Sequence, residues 1–195
     1  MGYSKEKKDR KRKQTSTGID SSLKSFWKEK RPVLIFVFGF IGLMALFYAF
    51  WFTSFYAQHI HPKIVGMNAI ISSKLLNLLG QHTVSQGDTV FSSVFSISVK
   101  KGCDAVEAMA LFSSAVLAFP MAWKIKLRGL LIGIFMLFTL NFIRIVSLYL
   151  TGVYYPEAFE TMHIEVWQVL FIIFSLGLWV FVIRQEHKPR VDVKT

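Results

Sequence analysis

Long apolar runs alternate with short charged segments along the chain, and this pattern predicts membrane-spanning helices. Each run approaches the ~20 residues that a helix needs to cross the hydrocarbon core of a bilayer. The predicted spans are residues 33–56, 105–122, 129–150 and 164–183. Hydrophobic residues make up 53% of the chain and its mean hydropathy is +0.43, which is too apolar for an ordinary soluble domain. We therefore expect an all-α, polytopic transmembrane helix bundle of about four spans.

The segment between the first two runs carries two further patterns. Residues 63–80 place apolar side chains at helical spacing, which predicts an amphipathic helix on the outer membrane surface or capping the bundle. Its apolar positions are Ile64, Met67, Ile71, Leu75 and Leu78. Residues 91–99 end in apolar/polar alternation, and Thr83–Val84 precede a turn-like Gln86–Gly87–Asp88, so we also expect a small hairpin.

Positive charge is concentrated in three segments that flank the runs. Residues 1–31, 123–128 and 184–195 hold 18 of the 23 Lys and Arg residues of the chain. The positive-inside rule places these segments in the cytoplasm, and residues 57–104 and 151–163 on the other side. Topology and attraction to anionic membrane lipid thus explain the basic pI, and no nucleic-acid partner is expected.

The same pattern divides the chain into three parts. Residues 1–31 are polar, with little apolar periodicity, and predict a basic, disordered cytoplasmic segment. Residues 32–184 form the membrane-embedded domain, and residues 185–195 form a cytoplasmic tail. The first run is too long for a signal-peptide core and lacks a small-residue cleavage site, so we expect it to remain as an anchor.

The only cysteine, Cys103, lies where a polar segment gives way to the second apolar run. The N-terminal end of a helix offers unpaired N–H groups and a positive dipole end, which lower the pKa of a thiol. The nearby acidic residues Asp104 and Glu107 would raise the pKa of the thiol, whereas Lys100 and Lys101 would lower it. Cys103 is therefore a candidate nucleophile; the alternative is a small packing residue. A single cysteine excludes an intramolecular disulfide and a CxxC redox motif.

Arg144 lies inside the third run, six residues before its end at Leu150. An ionisable residue in a span is costly and by default functional. Asn141 precedes Arg144 by about one helical turn, on the same face. The alternative is a structural arginine that snorkels to the interface or pairs with a carboxylate. The acidic residues that could pair with it are Glu107, Glu157, Glu160 and Glu165.

His163 stands at the external mouth of the fourth run, so the topology puts Cys103, Arg144 and His163 at the extracytoplasmic ends of three spans. A thiolate that attacks a carbonyl, a cation that holds the oxyanion and an imidazole that protonates the leaving amine are the working set for acyl transfer. One cysteine and one nearby histidine fall short of the usual number of metal ligands, so neither a metal nor another cofactor is expected.

Over about residues 33–183 the chain resembles the exosortase/archaeosortase family of membrane-embedded cysteine transpeptidases, and it is most similar to the short H subtype. The positions that carry the resemblance are Cys103, Ala118–Phe119–Pro120, Asn141–Phe142–Ile143–Arg144–Ile145 and His163. One pair differs from the family pattern. After the cysteine, many members have Ser or Asn followed by Gly, whereas this chain has Asp104–Ala105.

The resemblance implies an enzyme of the inner membrane that acts on exported proteins. Their C-terminal tails consist of a short motif, a hydrophobic span and a basic cluster, and the enzyme cleaves them at the outer face of that membrane. For the H subtype the implied motif is Ile-Pro-Thr-Leu-x-x-Trp-Gly. The resemblance also implies that Cys103 is the nucleophile, that Arg144 stabilises the oxyanion or the thiolate, and that His163 transfers protons, with Asn141 in support.

Two other classes of function stay open. A non-enzymatic assembly or accessory subunit would use Arg144 to pair with an acidic residue on another span. A small transporter is less favoured, because the chain shows no inverted repeat and no interrupted helix pair. Replacement of Cys103 by Ser separates the first of these from an enzyme, since only the enzyme needs the thiol.

Overall fold

The computed structural model describes residues 30–186 and shows the expected all-α polytopic membrane bundle. Of the segment 1–31 predicted to be disordered, Lys30 and Arg31 are described and belong to the first helix; of the predicted tail 185–195, Gln185 and Glu186 are described and belong to the last helix. The rest of both segments lies outside the described residues. The helices are α1 Lys30–Trp51, α2 His61–Leu78, α3 Val106–Ala118, α4 Trp123–Tyr154, α5 Phe159–Thr161 and α6 Trp167–Glu186. Two π-helical turns, Tyr56–Ile60 and Met162–Val166, precede α2 and α6, and a 3-10 turn, Pro156–Ala158, precedes α5.

Within residues 30–186, three helices are long and apolar enough to cross a membrane: α1, α4, and the continuous run Pro156–Gln185 that includes α5 and most of α6. The second predicted span is instead the 13-residue helix α3. At 1.5 Å per residue α3 is about 20 Å long, which is shorter than the ~30 Å hydrocarbon core. It ends at Ala118 because Pro120 disfavours helical geometry in Phe119, whose backbone is extended at φ −71° and ψ 133°.

The core of the bundle is formed by α3, α4 and α6, each of which contacts the other two. Small residues on α4 allow this close approach. A Cβ at Gly129 would collide with Val182 of α6, and a Cβ at Gly133 would collide with the ring of Phe112 of α3. Glycines at such crossings are typical of helices packed in membranes. Only residues 155–166 separate α4 from α6, and so short a connection suits neighbouring helices.

The predicted hairpin is present and is extended by one strand. The strands β1 Val84–Gln86, β2 Thr89–Phe91 and β3 Ser96–Ser98 form an antiparallel sheet in the order β1-β2-β3. Gly87 has φ +60° in the turn between β1 and β2, a conformation that favours glycine. The order of the strands leaves β3 at an edge of the sheet.

The predicted amphipathic helix is α2, but its apolar face points outward. Leu78 is 83% exposed, whereas Asn68 and Ser72 are fully buried. The face of α2 that packs against β1, β2 and α4 is mixed, since Leu76 and Val65 are buried there beside the polar side chains. Large apolar side chains on the outer face suit contact with lipid better than contact with water.

Candidate active site

The connection between β3 and α3 carries Cys103 in a tightly turned backbone. Gly102 and Ala105 have φ of +86° and +63°, so the chain adopts the left-handed conformation on both sides of the thiol. The N–H of Cys103 donates to the carbonyl oxygen of Lys100 at 2.9 Å. These features fix the thiol at the base of α3, where the sequence predicted it.

The structure brings Cys103, Arg144 and His163 into direct contact. Sγ of Cys103 lies 2.9 Å from Nε2 of His163. Nη2 of Arg144 donates to the same sulfur at 3.4 Å, and Nη1 donates to the carbonyl oxygen of Gly102 at 3.2 Å. A base and a cation therefore both touch the thiol, as the predicted topology led us to expect.

Arg144 is directed at the cysteine loop and not at a carboxylate. Its side chain is buried, and the guanidinium carbon lies 5.4 Å from the centre of the Phe171 ring. Among residues 30–186 the ion-pair distance found is that between His61 and Asp104, and none involves Arg144. Glu107, one of the suggested partners, accepts a hydrogen bond from Tyr48 at 2.8 Å. The contacts of Arg144 therefore favour neither snorkelling nor pairing with an acid.

His163 belongs to the π-helical turn Met162–Val166, which leads into α6. Its ring lies against that of Phe159, with 5.8 Å between the ring centres. Widened π-helical turns of this kind are frequent at functional sites. With Nε2 toward the sulfur, the imidazole can accept the thiol proton directly.

Asn141 lies one turn before Arg144 on α4 and is fully buried. Neither atom of its amide group has a hydrogen-bond partner among the described residues. No hydrogen bond therefore connects Asn141 to Cys103, Arg144 or His163 in this structure, and its supporting role stays a prediction.

Asp104, which follows the nucleophile in the chain, lies close to His61. Nothing in the sequence indicated this contact. Asp104 is fully buried, and its Oδ1 accepts the N–H of Val106 at 3.2 Å, which satisfies a free donor at the start of α3. Its Oδ2 lies 3.7 Å from Nε2 of His61. Burial raises the pKa of the Asp104 carboxyl, while Val106 and then His61 act to lower it.

The electrostatics at the sulfur differ from the expectation based on the helix end alone. Burial raises the pKa of the Cys103 thiol above its ordinary value. The guanidinium of Arg144 acts against this effect, and the nearby carboxyl of Asp104 adds to it. The thiol consequently needs a base within reach if it is to ionise, and His163 is in that position.

Two cavities lie at this site and share Arg144 in their linings. The outer cleft, of about 460 Å³, is lined by β3 together with Cys103, Arg144 and His163. The lateral groove, of about 600 Å³, is lined mostly by apolar and aromatic side chains of α1, α3 and α6, including Phe36 and Trp179. Arg144 lines both cavities. Cys103 lines the outer cleft, whereas its neighbours Gly102 and Ala105 line the lateral groove, so the cysteine loop lies between the two.

A protein-family model described as transmembrane exosortase matches residues 30–181, which is most of the chain and all of the site. The chain belongs to the transmembrane exosortase family. Comparison with curated proteins and with solved structures gave no match. This exosortase is therefore a membrane protein, and its family is one of transpeptidases and proteases.

The left-handed backbone of Ala105 is a conformation that favours glycine, the residue that the resemblance noted in the sequence implies at this position. A non-glycine residue costs about 1–2 kcal/mol in that conformation. This exosortase keeps the backbone course with alanine, at φ +63°. Alanine in place of glycine at position 105 thus makes this loop conformation less favourable, while the thiol keeps its contact with His163.

Proposed function

We propose that this exosortase is a cysteine peptidase or transpeptidase that cleaves the C-terminal sorting tails of exported proteins through a thioester on Cys103. The observation that carries the proposal is the double contact of the sulfur, 2.9 Å from Nε2 of His163 and 3.4 Å from Nη2 of Arg144. A nucleophile touched by a base and by a cation is the arrangement that acyl transfer requires.

In the first step, His163 takes the thiol proton and the thiolate of Cys103 attacks the carbonyl carbon of the scissile amide. The guanidinium of Arg144 stabilises the thiolate before attack. This help is needed because burial raises the pKa of the thiol. The carbon–sulfur bond forms as the carbonyl π electrons move to oxygen.

The negative charge on that oxygen then needs a donor. The N–H of Cys103 is already bonded to Lys100 and is not free to serve. Arg144 contacts the sulfur, and the sulfur is bonded directly to the carbon that carries the oxyanion. In this proposal Arg144 therefore stabilises the oxyanion. Loss of one such donor typically costs about 100- to 1000-fold in rate.

Collapse of the intermediate breaks the carbon–nitrogen bond, and the imidazolium of His163 gives its proton to the departing amine. The acyl group remains on Cys103 as a thioester. Water or an acceptor amine then attacks the thioester and passes a proton to His163, and the proton returns to the sulfur as it leaves. Atoms and charge balance without a metal or a redox cofactor.

The two cavities suit a substrate tail of the kind implied for the H subtype. In this proposal the Ile-Pro-Thr-Leu-x-x-Trp-Gly motif lies in the outer cleft, and the hydrophobic span of the tail lies in the lateral groove. The basic cluster then lies in the cytoplasm with the loop 123–128 and both termini of this exosortase. Their charge favours this topology, and it requires the short helix α3 to cross a locally thinned bilayer. The site itself faces the outer side of the inner membrane.

The test is co-expression of this exosortase with a tagged protein that ends in such a tail, followed by an immunoblot at matched membrane levels. We expect processing by the wild type, and none by Cys103→Ser or His163→Gln. His59→Gln is the matched control, because His59 is exposed and its ring stacks on Phe55, outside the site. A hydroxylamine-sensitive adduct on Cys103 would report the thioester. Unchanged processing by Cys103→Ser would rule out the mechanism.

A further inference from the structure

The outer edge of β3 carries backbone groups without a strand partner. In the β2–β3 ladder the N–H of Val99 donates to Asp88 at 2.8 Å, and the N–H of Ser92 donates to Phe95 at 2.9 Å. Alternate residues of an antiparallel strand bond to the same neighbour. The backbone groups of Ser96 and Ser98 therefore point away from β2.

This edge forms one wall of the outer cleft, and Cys103 and His163 lie in the same cleft. In the described part of the chain, no backbone hydrogen bond is found on that side of Ser96 or Ser98. The hydroxyl of Ser98 is already bonded to Thr89 at 2.8 Å. What the edge offers to the cleft is thus a short row of backbone donors and acceptors beside the nucleophile.

We infer that the substrate's sorting motif binds as a fourth strand along β3, with its backbone hydrogen-bonded to Ser96 and Ser98. Addition of a peptide strand to an exposed sheet edge is a common mode of recognition, because the backbone supplies the bonds and alternate side chains supply specificity. This inference rests on the proposed function, since it gives the outer cleft the task of holding the cleaved peptide.

The position of β3 in the chain suits this task. The strand ends at Ser98, five residues before Cys103, so a peptide paired with β3 is led toward the sulfur. An extended peptide also presents its amide carbonyls free of helical hydrogen bonds, as attack by a thiolate requires. Pro156 and Phe159 form part of the remaining lining, and the cleft volume of about 460 Å³ lies in the usual range for ligand sites.

The first experiment needs no variant of the protein. Full-length exosortase in lipid nanodiscs is given synthetic tail peptides in which one backbone amide at a time is N-methylated, and the rate of processing is measured. We expect KM to rise about 5-fold at each of two amides two residues apart, the usual effect of one lost hydrogen bond, and little change at the amide between them. That period of two is the signature of strand pairing.

The second experiment removes the donors from the protein. Ser96→Pro and Ser98→Pro delete N–H groups on the free edge and leave the bonds of the β2–β3 ladder in place. Ser96→Ala and Ser98→Ala are controls that keep the N–H. Ser85→Pro is the matched control on the opposite edge of the sheet. Ser85 lies opposite Val90, whose backbone groups bond to β3. The N–H of Ser85 therefore also points away from β2.

We expect the two edge prolines to lower kcat/KM about 5-fold each, while the alanine forms and Ser85→Pro resemble the wild type. The rate of Cys103 alkylation by iodoacetamide should be the same in all of them, which shows that the site is intact. If alkylation changes in a proline form, the N-methyl series on the wild type decides.

Two failures can be told apart. In the first, the wild type processes the tail peptides, but the N-methylated amides show no period of two and the Pro and Ala variants have equal kcat/KM. Strand pairing is then overturned and the proposed function stands. If the wild type processes none of them, although Cys103 still reacts with iodoacetamide, the proposed function fails and this inference fails with it.

Discussion

Replacement of Arg144 by Gln separates two contributions of one side chain. Nη2 contacts the sulfur of Cys103, and Nη1 holds the carbonyl of Gly102. Burial raises the pKa of the Cys103 thiol, and the charge of Arg144 lowers it. Because Arg144 is only 7% exposed, little water screens that charge. Without it, the pKa of Cys103 rises further, and the thiolate fraction at neutral pH falls.

Under the proposed mechanism the same substitution also removes the donor to the oxyanion, a loss that typically costs about 100- to 1000-fold in rate. The two effects differ in their dependence on pH. The loss of thiolate is recovered as the pH rises through the increased pKa of Cys103, whereas the loss of oxyanion stabilisation is not. In Arg144→Gln we therefore expect normal alkylation at alkaline pH together with strongly impaired processing.

The assay is the rate of iodoacetamide labelling of the intact protein from neutral to alkaline pH, beside tail processing at each pH. Labelling is unambiguous because Cys103 is the only cysteine. Arg128→Gln is the control: Arg128 is exposed and lies 16 residues earlier on the same helix, about 24 Å along its axis. If the labelling profile of Arg144→Gln matches that of the control, Arg144 does not stabilise the thiolate.

Three further substitutions test the surroundings of the site. Ala105→Gly should raise thermal stability by about 1 kcal/mol with processing retained, because φ is +63° there; a lower melting temperature would contradict this. Gly133→Ala should destabilise the bundle by about 1–3 kcal/mol through a collision with an aromatic ring of α3, whereas Gly177→Ala meets no atom within 4 Å and should melt like the wild type. Asp104→Asn removes a charge that raises the pKa of Cys103, so its alkylation profile should move to lower pH, and an unmoved or opposite profile would refute this.

The main helices could be predicted from sequence because span length depends only on a run of apolar residues. The limits of α3 required a second signal. Pro120 predicts an end of the helix at Phe119–Pro120, and α3 does end at Ala118. The prediction of a full span from residues 105–122 was wrong, because the 13 residues that form the helix are too few to cross the hydrocarbon core. A count of apolar residues detects a membrane segment, whereas its end is set by backbone chemistry.

The outward apolar face of α2 shows a different limit. Helical spacing identified the helix correctly, but the spacing of apolar residues does not say whether protein or lipid covers them. Asn68 and Ser72 are buried beside Leu76 while Leu78 is exposed, so this helix carries apolar residues on both its inner and its outer face. A soluble helix buries its apolar stripe, whereas a helix beside lipid can leave that stripe outside.

The meeting of Cys103, Arg144 and His163 could be anticipated because alternating spans bring their outer ends to one side of a membrane. The contact of Asp104 with His61 and the free edge of β3 could not, since both depend on how the external segment folds back on the bundle. The balance of charges at the sulfur was also left open by the sequence. In the structure the largest influence on the pKa of Cys103 is burial, which raises it, and burial is a property of the packed structure.

The two cavities place a constraint on where the tail is cut. A peptide paired with β3 is extended, whereas a hydrophobic span within lipid must be helical to satisfy its backbone. Under the proposed binding mode the tail therefore changes from strand to helix between the outer cleft and the lateral groove. Arg144 lines both cavities and contacts Cys103. In this binding mode the thiol therefore lies beside the part of the tail backbone that changes from strand to helix. The scissile bond should accordingly lie between the motif and the start of the span, where the amide carbonyl has lost its strand partner and has not yet gained a helical one.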